Sequence, residues 1–110
     1  MPTPFDEEVD KQGRSFLWRS ADKGDRLMVR QIASEGADIN RAYEGTGETP
    51  LCVAALKGHK AVVELLLKLD ADCNRADNDG QTPKMAALAK GHNEIVEMID
   101  AHLKVSDESV

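Results

Sequence analysis

An 11-residue segment of this chain recurs after 33 residues. The segment from Thr49-Pro50 to Gly58-His59 returns from Thr82-Pro83 to Gly91-His92, and the two copies align without a gap. A period of this length is the size of one supersecondary unit, and such units bury their apolar faces by stacking on their neighbours. The chain is therefore predicted to fold as a stacked array, and arrays of this kind usually present a binding surface.

A third and more divergent copy lies upstream. The run from Gly36 to Ala42 matches the run from Asp70 to Ala76 at an offset of 34 residues. The additional residue falls in the polar segment 43–47, where an insertion costs little because loop-closure entropy grows slowly with length. The expected divisions are an N-terminal extension or partial cap helix over 1–14, repeats over 15–48, 49–81 and 82–104, and a flexible tail over 105–110.

Composition limits the class of protein and of partner. A chain of 110 residues is expected to form one domain. Its formal net charge of −6 argues against general binding of nucleic acid or anionic lipid, which basic patches hold. We find no apolar stretch long enough to span a bilayer and no secretion signal after Met1. Two cysteines are too few for a disulfide framework, so a cytoplasmic or nuclear setting is expected.

Each unit carries the signals of two helices separated by a glycine. Thr49 and Thr82 each precede a proline, and a threonine N-cap followed by proline at the first helical position is a typical helix start. Ser15 stands at the same position of the first unit. Gly58 and Gly91 are expected to end the first helices in a left-handed conformation.

The second helix of each unit has an apolar stripe, which Val62, Val63, Leu66 and Leu67 form in the middle unit. A polar segment follows over 72–80, rich in Asp, Asn and Gly. These residues favour turns, so we predict a protruding hairpin-like loop between units.

The pattern D-x-x-G-x-T-P-L-x-x-A-A-x-x-G-H-x-x-V-V-x-x-L-L-x-x-x-A-D-x-N resembles the ankyrin repeat, over roughly Ser15 to Leu103. The middle unit departs from it only at Cys52 (usually His) and Asp70 (usually Gly). The resemblance implies an all-α solenoid of about three helix-turn-helix units with protruding loops. It also implies a non-enzymatic protein, without cofactor, that binds a partner protein on the concave face formed by the inner helices and loops.

The terminal units differ where a neighbour would be missing. Lys84 stands at the position of Leu51, and Asp100 at the position of Leu67. Burying either charge unpaired would be costly, so the last unit is predicted to face solvent there, as a cap. The acidic segment Pro4 to Lys11 is expected to be either a preceding helical turn or a frayed end.

The layout is also similar to that of small stand-alone arrays of the myotrophin type. The shared features are Phe16 and Trp18 in the first helix, Gly24-Asp25, Asn40-Arg41 and Glu44-Gly45. This similarity raises an alternative function, the regulation of cytoskeletal or transcriptional complexes.

A further alternative is a metal-binding or enzymatic protein that uses Cys52, His59, Cys73 and His92. The spacing fits no closed zinc pattern, and Gly45-Thr46-Gly47 lacks the Lys and Ser/Thr of a phosphate loop. The histidines follow the inter-helix glycines, and in the ankyrin family this imidazole hydrogen-bonds backbone between repeats. We therefore favour a structural role for both.

The expected binding surface joins loop tips and inner helices, and the partner is a protein of unknown identity bound by a monomer. Trp18 aligns with Cys52 and Met85 and is expected to be partly buried. Lys23, Lys57 and Lys90 recur in register and suggest a basic row. The candidate partner-binding residues are Arg41, Tyr43, Glu44, Arg75, Asp77 and Asn78 in the loops, and Arg19, Asp22, Lys23, Val53, Leu56, Lys57, Ala86, Ala89 and Lys90 on the inner helices.

Overall fold

The computed structural model of this chain describes residues 9–108, with side chains over 9–104. Within that range it contains six α-helices and no β-strand, which confirms the all-α prediction. The helices are α1 (Phe16–Lys23), α2 (Arg26–Ser34), α3 (Pro50–Lys57), α4 (Lys60–Lys68), α5 (Pro83–Ala89) and α6 (Asn93–Glu108).

The helices form two layers. The inner helices α1, α3 and α5 stack in that order, and the outer helices α2, α4 and α6 stack behind them. Each inner helix also packs against the outer helix that follows it in the chain. Ile32, Leu66 and Ile99, one from each outer helix, are fully buried and occupy the same position in successive units. One apolar core therefore runs through all three units.

Side-chain caps fix the start of every inner helix. Ser15 Oγ accepts a hydrogen bond from the amide of Trp18 at 3.1 Å. Thr49 Oγ1 accepts from Cys52 at 3.1 Å, and Thr82 Oγ1 accepts from Met85 at 3.3 Å. Each cap satisfies one backbone donor that the first turn leaves unpaired. The predicted starts are confirmed at all three positions.

The glycine between the two helices of a unit packs against the next unit. Gly24 has φ 78° and Gly58 has φ 80°, and both close their helices in the left-handed conformation. A Cβ atom on Gly24 would lie 2.6 Å from Nδ1 of His59, and one on Gly58 would lie 2.7 Å from Cε1 of His92. The two glycines therefore occupy equivalent bends in adjacent layers, as the repeat predicts.

The two ends of the chain differ from expectation or lie outside the described range. Helix α6 continues to Glu108, so it extends into the stretch 105–110 that was expected to form a flexible tail. The stretch after Asn93 contains neither glycine nor proline, and Ala101, Leu103 and Lys104 favour helix. Residues 109–110 are outside the described range, as is the 4–8 part of the acidic N-terminal segment.

Candidate functional site: a groove between loops and inner helices

The loops that join the units are tied to one another by hydrogen bonds. Asn40 in the first loop accepts twice from the second: its Oδ1 takes the amide of Asp72 at 2.8 Å, and its backbone oxygen takes Nη1 of Arg75 at 3.0 Å. Nearer the tips, the amide of Asn78 donates to the backbone oxygen of Thr46 at 2.9 Å. These bonds hold the two loops side by side.

A groove of about 310 Å³ opens between these loops and helix α3. Leu56 contributes an apolar side chain from α3, and polar loop residues form the walls. Three predicted partner-binding residues meet here: Leu56, Asp77 and Asn78. The lining residues are Gly45, Thr46, Glu48, Leu56, Asp77, Asn78, Asp79 and Gln81.

The other predicted residues do not line this groove, and they differ in exposure. Glu44, Arg75, Lys23, Lys57, Ala89 and Lys90 are exposed, and Arg41, Tyr43, Arg19 and Asp22 are partly exposed. Nζ of Lys57 lies 3.6 Å from Oδ1 of Asp22, so the lysine in the middle of the predicted basic row is paired with an acid. The predicted row is therefore partly neutralised within the chain.

Val53 and Ala86 do not belong to an accessible surface. Each is only 1% exposed, within the stack of inner helices. The expectation that they face the groove is wrong because both side chains lie where neighbouring inner helices pack against one another, which leaves no surface for a partner. Leu56 remains the groove-facing position of α3.

Trp18 is more deeply buried than expected, with 6% of its surface exposed. Its ring packs edge-on against that of Tyr43, with centroids 5.4 Å apart. Its indole Nε1 donates to the backbone oxygen of Glu48 at 3.0 Å. Trp18 therefore anchors the first loop onto the inner helices, and Tyr43 shares that structural contact.

The two inter-helix histidines bind backbone across the unit boundary. Nε2 of His59 donates to the oxygen of Asp22 at 2.8 Å, and Nε2 of His92 donates to that of Leu56 at 3.2 Å. Each imidazole thus satisfies a carbonyl near the end of the preceding inner helix. The predicted structural role of both histidines is confirmed.

A cluster that the sequence did not reveal lies beside the groove. Ligand atoms of Glu48, Cys52 and Asp77 all lie within 4.8 Å of one another. Oδ1 of Asp77 already accepts the amides of Asp79 and Gln81, both at 2.9 Å, which shapes the second loop. Burial raises the pKa of the Cys52 thiol to about 12, and the charges of Glu48 and Asp77 add to this effect. The thiol is therefore neutral near pH 7, and a thiolate nucleophile is disfavoured.

Comparison with known families agrees with this architecture. The family model described as "Ankyrin repeats (3 copies)" matches residues 17–107. The chain belongs to the ankyrin-repeat family. Ankyrin repeats are generally non-enzymatic modules for protein–protein interaction. In the described part of the chain, the helices are too short or too polar to cross a membrane.

Several curated proteins contain similar segments. The chain is 37% identical over 65 residues to ankyrin repeat-containing protein ITN1 of Arabidopsis thaliana, covering 58% of this chain and 11% of that protein. It is 32% identical over 69 residues to ankyrin repeat and SAM domain-containing protein 6 of Mus musculus, covering 63% of this chain and 8% of that protein. It is 35% identical over 74 residues to the 2-5A-dependent ribonuclease of Mus musculus, covering 67% of this chain and 10% of that protein. The matched segment is about a tenth of each relative, so the similarity concerns the repeats.

Proposed function

We propose that this chain binds a partner protein through the groove between its loops and inner helices. The observation that supports this most directly is the groove itself, where Leu56 lies among polar loop residues. An apolar side chain at the base with polar groups around it is the usual composition of a recognition site.

The hydrogen bonds between the loops favour such a role. Asn40 and Asn78 fix the two loops relative to one another before any partner arrives. Loops that are already ordered lose less conformational entropy on association, which favours affinity. The loop tips and Leu56 thus form one preorganised surface.

The proposal is tested by comparing what the parent chain and three variants capture from cells of the source. Leu56→Arg places charge in the groove, and Arg41→Glu reverses the charge of a partly exposed residue in the first loop. Arg30→Glu is the matched control, because Arg30 is exposed on outer helix α2. A protein retained by the parent and by Arg30→Glu, but lost from Leu56→Arg and Arg41→Glu, is the expected result. If every captured protein binds all four chains equally, the groove is not the binding surface.

Arg75 is a less suitable probe than Arg41. Its guanidinium donates to the backbone oxygen of Asn40, so charge reversal would disturb the loop as well as any partner contact. The bond that the described residues give to Arg41 is made by its backbone amide, which donates to the backbone oxygen of Asp38 at 3.3 Å. Charge reversal of its side chain leaves that bond in place.

The myotrophin-like alternative receives no specific support from its shared features. Gly24 forms the left-handed bend after α1, Asp25 Oδ1 accepts the amide of Met28 at 3.1 Å, and Trp18 is buried. Such structural roles account for these residues without a common partner. Direct binding to purified actin-capping protein would establish this role, and its absence would remove it.

A further inference from the structure

The buried thiol of Cys52 makes no hydrogen bond within the described residues. Only 1% of this residue is exposed, and it lies in the first turn of α3. The other cysteine, Cys73, is buried to a similar degree, but its Sγ donates to the backbone oxygen of Ala71 at 3.6 Å. Cys52 therefore holds an unpaired sulfur atom beside the groove.

Two carboxylates lie close to this thiol and to each other. Glu48 ends the first loop and Asp77 lies in the second, and both are partly exposed. Oδ1 of Asp77 accepts two loop amides, which leaves its Oδ2 available. Neither acid forms an ion pair with any Lys, Arg or His of the described residues. Two neighbouring negative charges without a counter-charge repel one another, and a cation between them removes that repulsion.

We propose that Glu48, Cys52 and Asp77 bind one zinc ion. Zinc accepts both thiolate and carboxylate ligands, whereas magnesium and calcium bind through oxygen atoms, so the sulfur favours a transition metal. On binding, the thiol proton passes to water and a sulfur–zinc bond replaces the S–H bond. Three protein ligands leave the fourth tetrahedral position open.

The side chains need only a small adjustment to surround the ion. Their ligand atoms lie within 4.8 Å of one another. In a tetrahedral zinc site, neighbouring ligand atoms are about 3.5 Å apart. The thiol is fixed by burial, but the partly exposed carboxylates of Glu48 and Asp77 can approach it by side-chain rotation. Both acids also line the groove, so a water molecule can complete the coordination from there.

The proposed donor set is not repeated along the array. Trp18 and Met85 occupy the position of Cys52 in the other two units, and Gln81 occupies that of Glu48. The proposed site is therefore a property of the middle unit and its two loops, and it does not depend on a partner protein.

Cobalt(II) is a suitable probe of the site, because a cobalt–thiolate bond gives a charge-transfer absorption that carboxylates alone do not. The full chain is reduced, freed of metal with a chelator and titrated with Co²⁺. The parent should show this absorption and saturate at one ion per chain. Cys52→Ala should lack it, and Cys73→Ala is the matched control that should keep it, because Cys73 is equally buried but lies outside the cluster.

Glu48→Gln and Asp77→Asn test the carboxylates without removing a buried side chain. Each should weaken Co²⁺ binding by about tenfold or more, since even the outer partners of metal ligands contribute that much. Asp77→Asn keeps an Oδ1 acceptor for the loop amides, and far-UV circular dichroism should match that of the parent for both variants. Parent-like affinity in both variants would overturn the proposal.

Selectivity separates a built site from general attraction of cations to an acidic chain. Zn²⁺ should displace Co²⁺, and Mg²⁺ at the same concentration should not. Zn²⁺ should also raise the Tm of the parent and of Cys73→Ala, but not that of Cys52→Ala. Absence of the thiolate absorption from the parent, its persistence in Cys52→Ala, or displacement of Co²⁺ by Mg²⁺ would overturn the proposal.

Discussion

Nζ of Lys84 lies 2.8 Å from Oδ1 of Asp100 at the C-terminal end of the stack. The preceding unit has two buried leucines, Leu51 and Leu67, at these positions. The two charged replacements therefore pair with one another on the outer face of the last described unit. Neither charge is left unpaired, and the apolar surface at this end of the array is reduced.

Replacing the pair by Lys84→Leu and Asp100→Leu is expected to promote self-association. The change would extend the apolar surface around Met85 and Leu88, which are 48% and 58% exposed. Unfolding free energy should change by less than about 1 kcal/mol, because exposed ion pairs contribute little. Sedimentation velocity over a range of concentrations checks this. The exchanged pair Lys84→Asp with Asp100→Lys should sediment as the parent chain does, and a double-leucine variant that sediments no faster than the parent would contradict the expectation.

Gly58→Ala should destabilise the chain more than Gly91→Ala. Both glycines are left-handed, with φ 80° and 76°, so each variant loses about 1–2 kcal/mol through backbone strain. Only at Gly58 would the new Cβ also meet a neighbour, the His92 ring, whereas Gly91 has nothing within 4 Å. Urea denaturation measures the unfolding free energy of each variant. The difference between Gly58→Ala and Gly91→Ala should disappear in a His92→Ala background. If both variants lose the same unfolding free energy in the parent background, the His92 ring moves aside without cost.

Asp70→Gly is expected to stabilise the chain by up to about 1 kcal/mol. Asp70 has φ 63° and ends α4 with the bonds of a Schellman motif, from Asp70 to Leu67 and from Ala71 to Leu66. Glycine removes the left-handed strain, although it gains entropy in the unfolded chain. Asp72→Gly is the control: Oδ1 of Asp72 accepts the amide of Asn74 at 2.9 Å, so its loss should lower stability. Thermal melts check this prediction, and a change in Tm of the same sign in both variants would contradict it.

Stability should fall above pH 9 partly through Cys52. Burial raises the pKa of its thiol from 9.0 in the unfolded chain to about 12 in the folded one. The neutral thiol therefore favours the folded state fully below pH 9, and this contribution is lost between pH 9 and about 12, as the unfolded chain releases its proton first. The urea midpoint of Cys52→Ala should fall less steeply between pH 8.5 and 10.5 than that of the parent.

Cys73 offers a check on this interpretation. The pKa of its thiol is raised to about 11, again mainly by burial. The urea midpoint of Cys73→Ala should therefore also fall less steeply with pH than that of the parent. Neither thiol of the folded parent should react quickly with a disulfide reagent at pH 8, and both should react in urea. Rapid reaction of the folded chain would mean that the thiols are accessible.

The repeat made most of the fold predictable, because each signal in it is local. A capping hydroxyl at Thr49 and a left-handed glycine at Gly58 act within a few residues, and the copies confirm one another. The burial of Trp18 was less predictable, because its indole bonds to Glu48, 30 residues away. Such a contact between a helix and a distant loop depends on the path of the loop against the inner helices, which sequence spacing does not specify.

The candidate site was predictable as a region but not residue by residue. Leu56 and Val53 are both apolar residues of the same short helix, yet one lines the groove and the other is buried. Distinguishing them requires the rotation of α3 relative to its neighbours. The role of Arg75 was also unpredictable, because its bond to Asn40 spans two loops of different units.

The histidine bonds across the unit boundaries give the array a direction. Each imidazole reaches back to complete the bend of the unit before it, from His59 to Asp22 and from His92 to Leu56. Each unit therefore stabilises the bend of the unit on its N-terminal side. The bend at Gly91 has no such reinforcement within the described residues, so fraying is expected to start there and to spread backward one unit at a time.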